Sequence, residues 1–415
     1  MKYVVVASTF TGNLGAASML EAAIQTISDR DKQAEFTILT VYPKQDLRAM
    51  QGRRVHEANT YKNVQVLSAK PLTLALFINP LALLYKLLVP LRGVLKKQKH
   101  VRAIVEADVY LDQGGVTFVQ GRTVFLIYNL ATILPALFVK TPVVKCSQAL
   151  GPFTGWLNRT LAKYFLPKMK MIFARGAKTQ SYLQSLALSN VAPAADYAFL
   201  LTVSKENNES VGKLFNSYVI QRKGKTVCIV PSKLIRKKLD GAGGNYVQLM
   251  QDFIHKLVGD GYTVILLPHS TRFYTTKTHN NDVPVCREIA AGITSYRFHF
   301  INRELNAQQV RAVIARSDVL ITSRFHGMVS GLASCVPTLV VGWSHKYQEV
   351  MGQFGLAKHA LSTNELTLER LQSEFNSVFK DKKKIRKQIA EKLPEVVESA
   401  RTQVDEIIRV ANLGR

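Results

Sequence analysis

Acidic residues are scarce. The chain of 415 residues carries 29 Asp and Glu against 55 Lys and Arg, a formal net charge of +26. That imbalance calls for an acidic partner, whether nucleic acid, an anionic membrane face or a phosphorylated small molecule. Cysteine is scarcer still. Cys146, Cys228, Cys286 and Cys335 lie far apart and form no CxxC pair, so neither a disulfide framework nor a zinc cluster is expected, and a reducing compartment is the simplest setting. No Asp-rich cluster suited to magnesium is present either. The opening stretch Met1–Gly15 holds only a short apolar run, too short for a signal-peptide core, and the expected location is cytoplasmic. What remains is ordinary: 47% hydrophobic and 20% charged residues exclude a disordered chain, a coiled coil and a collagen-like repeat.

Two stretches look membrane-like. Leu72–Leu95 is apolar but broken by Asn79, Pro80, Lys86 and Pro90, and Lys96, Lys97, Lys99 and Arg102 follow it. Two prolines and a lysine make a poor spanning helix. An apolar segment running into basic residues fits the surface of an anionic membrane, and a buried helix with a solvated basic end fits the same residues. Val124–Val139 lies between two apparent strands and reads as a crossover helix buried against a sheet. No transmembrane span is expected.

Short β-rich runs alternate with helical stretches along the chain. Strands are expected at Tyr3–Ser8, Phe36–Val41, Val64–Leu67, Ala107–Asp112, Pro142–Ser147 and Met171–Ala174. A second series follows at Thr226–Pro231, Tyr262–Pro268, Tyr296–Phe300, Val319–Thr322 and Thr338–Gly342. This alternation predicts an α/β fold with parallel sheets. The expected organisation is two doubly wound, Rossmann-like domains facing a cleft, residues 1–203 and 226–362, joined by a polar linker at 204–225. Residues 363–415 form a helical C-terminal tail, interrupted at Pro394.

The chemistry-bearing residues fall at strand ends, where ligands sit in open α/β sheets. Gly12, Asn13 and Gly15 follow the first strand and open a helix, which suits close backbone approach to an anion. Gly114 and Gly115 follow the fourth strand. Gln148 ends the fifth, and Arg175 ends the sixth as a candidate bidentate clamp for phosphate or carboxylate. In the second series His269 ends a strand, and a polar loop, Thr271–His279, leads to Asp282. The densest segment is Thr322–Gly342, where Arg324, Phe325 and His326 precede a helix of small residues including Gly327 and Gly331. Here Arg324 is positioned to bracket an anion and His326 to transfer a proton.

These residues resemble the polysaccharide pyruvyl transferase family. The Arg324-Phe325-His326 turn, Val336-Pro337, Lys346, the Gly12–Gly15 turn, the Gly114-Gly115 pair, Gln148–Pro152, Asp196, His269 and Asp282 occur in the family's order. The sequence departs from the family's pattern at Ala16 and Gly176, where acidic residues are common, and Val116–Gln120 contains no acid. The resemblance implies a fold similar to the two-domain glycosyltransferase B architecture. It also implies transfer of pyruvate from phosphoenolpyruvate to a sugar as a ketal, with no cofactor and no metal. His326, Arg324 and Arg175 would be catalytic. Phe325, His269, Asp282, Gly12, Asn13, Gly15, Gly114, Gly115, Gln148 and Lys346 would bind substrate. The acceptor would be a saccharide, carried on a lipid where the protein sits peripherally on the inner membrane face. A nucleotide-sugar glycosyltransferase of the same architecture, or a basic binding protein with a degenerate site, fits the same residues. Nucleic acid is not the expected partner, because the basic residues are dispersed and lack interleaved aromatics.

Overall fold

Runs of Val, Ile and Phe too short for helices, bounded by glycine, polar residues or proline, become buried parallel strands. The computed structural model describes residues 1–121, 123–220, 225–273, 280–342 and 344–413. Residues 274–279 of the expected polar loop and 221–224 of the expected linker lie outside these. The first sheet contains β1 (Lys2–Val6), β2 (Glu35–Thr40), β3 (Val64–Ser68), β4 (Val109–Asp112), β5 (Val116–Thr117), β6 (Val143–Leu150), β7 (Met171–Ala174) and β8 (Val191–Pro193). Its order is β3-β2-β1-β4-β6-β7-β8, with β5 paired to β6. The second sheet contains β9 (Thr226–Val230), β10 (Thr263–Leu266), β11 (Phe298–Phe300), β12 (Val319–Thr322), β13 (Thr338–Gly342) and β14 (Ala360–Ser362), ordered β11-β10-β9-β12-β13-β14. Every paired strand in both sheets is parallel. The direction of winding reverses between β1 and β4 and again between β9 and β12, so each sheet has one topological switch point.

The chain divides into two compact units. One comprises Met1–Phe10, Met19–Leu201 and Val397–Arg415, and the other Thr11–Ser18 and Thr202–Val396. Thr11–Ser18 groups with the second unit because its backbone bonds there: Thr271 N–H donates to the Gly12 carbonyl at 2.9 Å, and Asn13 bridges Ser270. Residues of 397–413 complete the first unit. The Gln403 carboxamide, fully buried, accepts from the Ser147 N–H at 2.7 Å and donates to the Ala195 carbonyl at 2.9 Å.

Two expectations about helices change. Pro394 does not interrupt the C-terminal helix, which runs unbroken from Lys382 to Leu413; one lost backbone bond is tolerated within a 32-residue helix packed through Ile389, Ala400 and Ile407. The apolar segment Leu72–Leu95, for which a buried helix with a basic end was one expectation, is broken into several turns, including a π turn at Leu74–Ile78 and the helix Asn79–Leu87. Among the described residues no single helix is long and apolar enough to cross a membrane. Pro71–Leu87 and Val89–Leu95 reach that length only together, bent by 119°.

Helix Thr123–Val139 contains Pro135, which removes the N–H that would bond the Ala131 carbonyl. The Asn79 side chain replaces it. Its amide donates to Ala131 O at 3.0 Å and to Leu74 O at 2.9 Å, tying the two apolar helices together. Replacing Asn79 by Leu should therefore strand the Ala131 carbonyl and cost about 1–3 kcal/mol of stability. Urea unfolding would show this, and an unchanged midpoint would mean the tie is dispensable.

Candidate functional site

In the second unit the site is built around one carboxylate at a switch point. Asp282 is fully buried. Its Oδ1 accepts from the Lys233 N–H at 3.0 Å and from Arg324 Nη2; its Oδ2 accepts from the Ser270 N–H at 2.9 Å and from Arg324 Nε at 2.8 Å. Arg324 Nη1 donates to Asn280 Oδ1 at 3.1 Å. The segment ends after β9, β10 and β12 are thereby gathered on one acid. Burial, the largest single influence, would lower the Arg324 pKa, but the charge and hydrogen bonds of Asp282, together with Tyr347 and Cys286, outweigh it and the pKa is raised. Asp282 was expected to touch substrate. Its acceptor positions are filled by the protein, so it positions Arg324 instead.

Arg324 follows β12 and stands at the N-cap of the helix Phe325–Ala333, which its own side chain does not cap. That helix packs closely on the sheet because Gly327 and Gly331 lack side chains. A Cβ at Gly327 would lie 2.5 Å from Thr322 Oγ1, and one at Gly331 2.5 Å from Thr338 Oγ1. Phe325 stands edge-on to His326 at 5.2 Å and to Tyr347 at 5.8 Å between ring centres. Lys346 immediately precedes Tyr347, in the first turn of the helix His345–Gln353, and is partly exposed. The His326 ring lies directly against the Gly15 backbone, and a Cβ there would collide with it. Gly12 has φ 78° and its carbonyl accepts from Thr271 N–H, while Asn13 Oδ1 accepts from Gly15 N–H at 3.2 Å. The structure thus brings Gly12, Asn13, Gly15, His269, Asp282, Arg324, Phe325, His326 and Lys346 into one unit.

His269 is 3% exposed. Burial first, then the charges of His326 and Arg324, push its pKa down to about 3. It stays neutral under physiological conditions and offers hydrogen bonding rather than charge. Of the two histidines, only the partly exposed His326 suits proton transfer with a ligand.

The remaining expected residues lie in the first unit, at the switch point of its own sheet. Asp112, at the end of β4, pairs with fully buried Lys145 and accepts from the Gly114 N–H at 2.9 Å. Gln148 donates to the Asp112 carbonyl at 2.6 Å and accepts from the Thr117 hydroxyl at 2.6 Å. It is fully buried and builds the loop, where substrate contact was expected. Arg175 was expected to clamp an anion. Its Nη1 pairs with buried Asp196 and its Nη2 donates to the Gly115 carbonyl at 2.8 Å, so what it clamps is the Gly114-Gly115 loop. The family's acidic position after Arg175 is Gly176 here, with φ 85° and ψ 156°, a conformation essentially restricted to glycine.

Sequence reasoning missed three contributors. Asp46, fully buried, accepts from the Thr9 hydroxyl at 2.8 Å, the Thr40 hydroxyl at 2.5 Å and the Phe10 N–H at 3.1 Å, pinning the loop after β1. It lies on the helix Pro43–His56, whose polar composition gave no periodic signal. Asn280 and Ser270 flank Asp282 in space, yet only the Asn280-Asn281-Asp282 run hinted at the first.

Comparison with known proteins agrees with the fold and with the family resemblance. The family model described as polysaccharide pyruvyl transferase matches residues 13–345. The chain is similar to the amylovoran biosynthesis protein AmsJ of Erwinia amylovora, 22% identical over 303 residues that cover 71% of this chain and 70% of that one. Its fold is similar to that of the UDP-GlcNAc 2-epimerase of Neisseria meningitidis bound to UDP-GlcNAc, with TM-score 0.60, 14% identity and coverage of 99% and 100%. It is also similar to a UGT transferase of Siraitia grosvenorii in complex with UDP, with TM-score 0.56, 10% identity and 99% coverage of each chain. At such identities the likeness establishes the architecture, glycosyltransferase B-like with two Rossmann-like domains.

Two outcomes follow from the geometry. Asp282→Ala should leave Arg324 and two backbone N–H groups without their acceptor, costing about 3–5 kcal/mol; a loss below about 1 kcal/mol in urea unfolding would contradict the arrangement. The second concerns pH. An unfolded histidine gains a proton below about pH 6.5, whereas folded His269 stays neutral until about pH 3. Its contribution is complete above pH 6.5 and drains away as pH falls towards 3, with a slope approaching about 1.4 kcal/mol per pH unit. His269→Asn should flatten stability against pH across that window, and an unaltered slope would show that His269 titrates normally.

Proposed function

The chain belongs to the polysaccharide pyruvyl transferase family, and on that premise we propose that it transfers pyruvate from phosphoenolpyruvate to two hydroxyls of one saccharide, forming a ketal. The observation that carries this reading is the Arg324-Phe325-His326 turn, held by Asp282 at the carboxyl end of β12. Phosphoenolpyruvate presents a phosphate and a carboxylate. Asp282 and Asn280 occupy one N–H on each terminal nitrogen of Arg324. A guanidinium carries two on each, so one N–H on each remains to donate to an oxyanion. The N-terminus of the helix Phe325–Ala333 adds its dipole.

The chemistry needs a proton delivered to the methylene carbon, giving a cationic centre at C2. One sugar hydroxyl adds there and loses its proton. Phosphate then leaves, and the second hydroxyl closes the ketal as its proton passes to the departing phosphate. Imidazole is the side chain suited to such transfers near neutral pH, and His326 is the residue placed for it. In the first unit Arg175, Gln148 and Asp112 hold the Gly114-Gly115 loop.

Phosphate release from phosphoenolpyruvate in the presence of candidate glycans tests the reading. Arg324→Lys should weaken phosphoenolpyruvate binding roughly ten- to a hundredfold. His326→Gln should keep binding but reduce turnover by roughly 10²–10⁴. Thermal stabilisation by a UDP-sugar and none by phosphoenolpyruvate would favour a nucleotide-sugar transferase instead. Absence of phosphate release with every glycan would favour a binding protein.

A further inference from the structure

The helical segment Pro71–Leu95 presents its apolar residues on the wrong side for a core helix. Leu74, Ile78 and Ala82 form the buried stripe. The opposite face is apolar as well: Leu72, Leu76, Leu87, Val89 and Val94 are 61–74% exposed. A helix that meets only protein and water carries polar residues there. The neighbouring helix Thr123–Val139 extends this surface. Asn79 bonds Ala131, and Lys86 lies 5.8 Å from the Phe138 ring centre, so the two helices run side by side in the same direction. Leu72 and Leu76 therefore sit beside Val124, Phe125 and Ile127, which are 80%, 54% and 63% exposed.

The other end of the helix pair is cationic. Lys86, Lys140, Lys168 and Lys170, with Phe138 and Tyr164, line an open pocket of about 670 Å³. Among the described residues no acid lines this pocket. Between Ala58 and Ala195 the sequence holds seventeen Lys and Arg and only three acids, Glu106, Asp108 and Asp112. Asp112 is buried on Lys145, and Glu106 pairs with Lys2 and Lys96. A contiguous apolar face of this extent marks a docking surface, and the unopposed lysines select its occupant. A second copy of this chain would bring the same charge against them.

We infer that this face docks the protein on an anionic phospholipid bilayer, with the exposed leucines, valines and Phe125 entering the headgroup–acyl boundary and the lysine pocket holding a lipid phosphate. The binding is interfacial, since the helices are short and bent. Each lysine near an anionic surface strengthens binding about fivefold, an effect lost as salt screens it. The inference does not depend on the reaction proposed above.

Co-sedimentation with phosphatidylglycerol and phosphatidylcholine vesicles tests it. The protein is expected to pellet with the first, to be released by high salt and to ignore the second. Lys86→Gln with Lys168→Gln should weaken binding roughly 25-fold. Leu76→Glu with Phe125→Glu should abolish it. Both double variants change exposed residues, so circular dichroism should match that of the parent, and phosphate release with a soluble glycan, if found, should be unchanged. Equal binding to both vesicle types, no binding to either, or resistance to alkaline extraction would overturn the inference. So would a dimer that the Leu76→Glu, Phe125→Glu variant dissociates in a protein indifferent to vesicles.

Discussion

A single carboxylate with no acceptor position to spare organises the second unit. Asp282 binds the N–H that opens one helix, the N–H that follows β10 and the guanidinium that follows β12. A buried acid is tolerated only when paired and hydrogen-bonded, and here both conditions are met by groups the site needs in place. The same bonds that solvate the acid aim the arginine. Rigid placement of Arg324 is thus a by-product of satisfying Asp282, and neither can be altered without disturbing three strand ends at once.

The first unit repeats the device at its own switch point. Asp112 at the end of β4 takes one cation and one glycine N–H, and Asp196 takes Arg175. With Glu21 on Arg53 and Asp282 on Arg324, four buried acids each meet a cation, three of these cations buried and Arg324 partly exposed. These pairs cancel inside the protein, so the excess of +26 is carried by the surface. A chain with few acids places several of its carboxylates where they shape backbone, which leaves long surface stretches without a negative charge.

Sequence pattern located most of the fold. The eleven expected strands all occur, since their β-branched runs lie between clear breakers, and their ends shift by a few residues at most. The strands that escaped, β5, β8 and β14, have two or three residues each and exist because a longer neighbour offers a ladder edge. The helix Lys233–Asp240 escaped because its last turn reads as a basic run. At the site, Arg324, His326 and Gly15 were legible as residue types at strand ends. The roles of Asp282, Gln148 and Arg175 were not. Whether a polar side chain faces a ligand or is consumed by backbone depends on partners far away in the chain, such as Gly115 for Arg175 at a separation of 60 residues.

The closing of the first unit by residues from 397 onward has a consequence for biosynthesis. The Ser147 N–H and Ala195 carbonyl are satisfied by Gln403, at sequence separations of 256 and 208 residues. Nascent chains emerge at about 5–20 residues per second. After Leu201 has left the ribosome, Val397 follows only some 10–40 seconds later, and for that interval the first unit stands without its final helical segment. The second unit, nearly all of which is encoded in between, gathers its sheet while the earlier one still waits for its last piece. Order of synthesis and order of completion are therefore reversed for much of this protein.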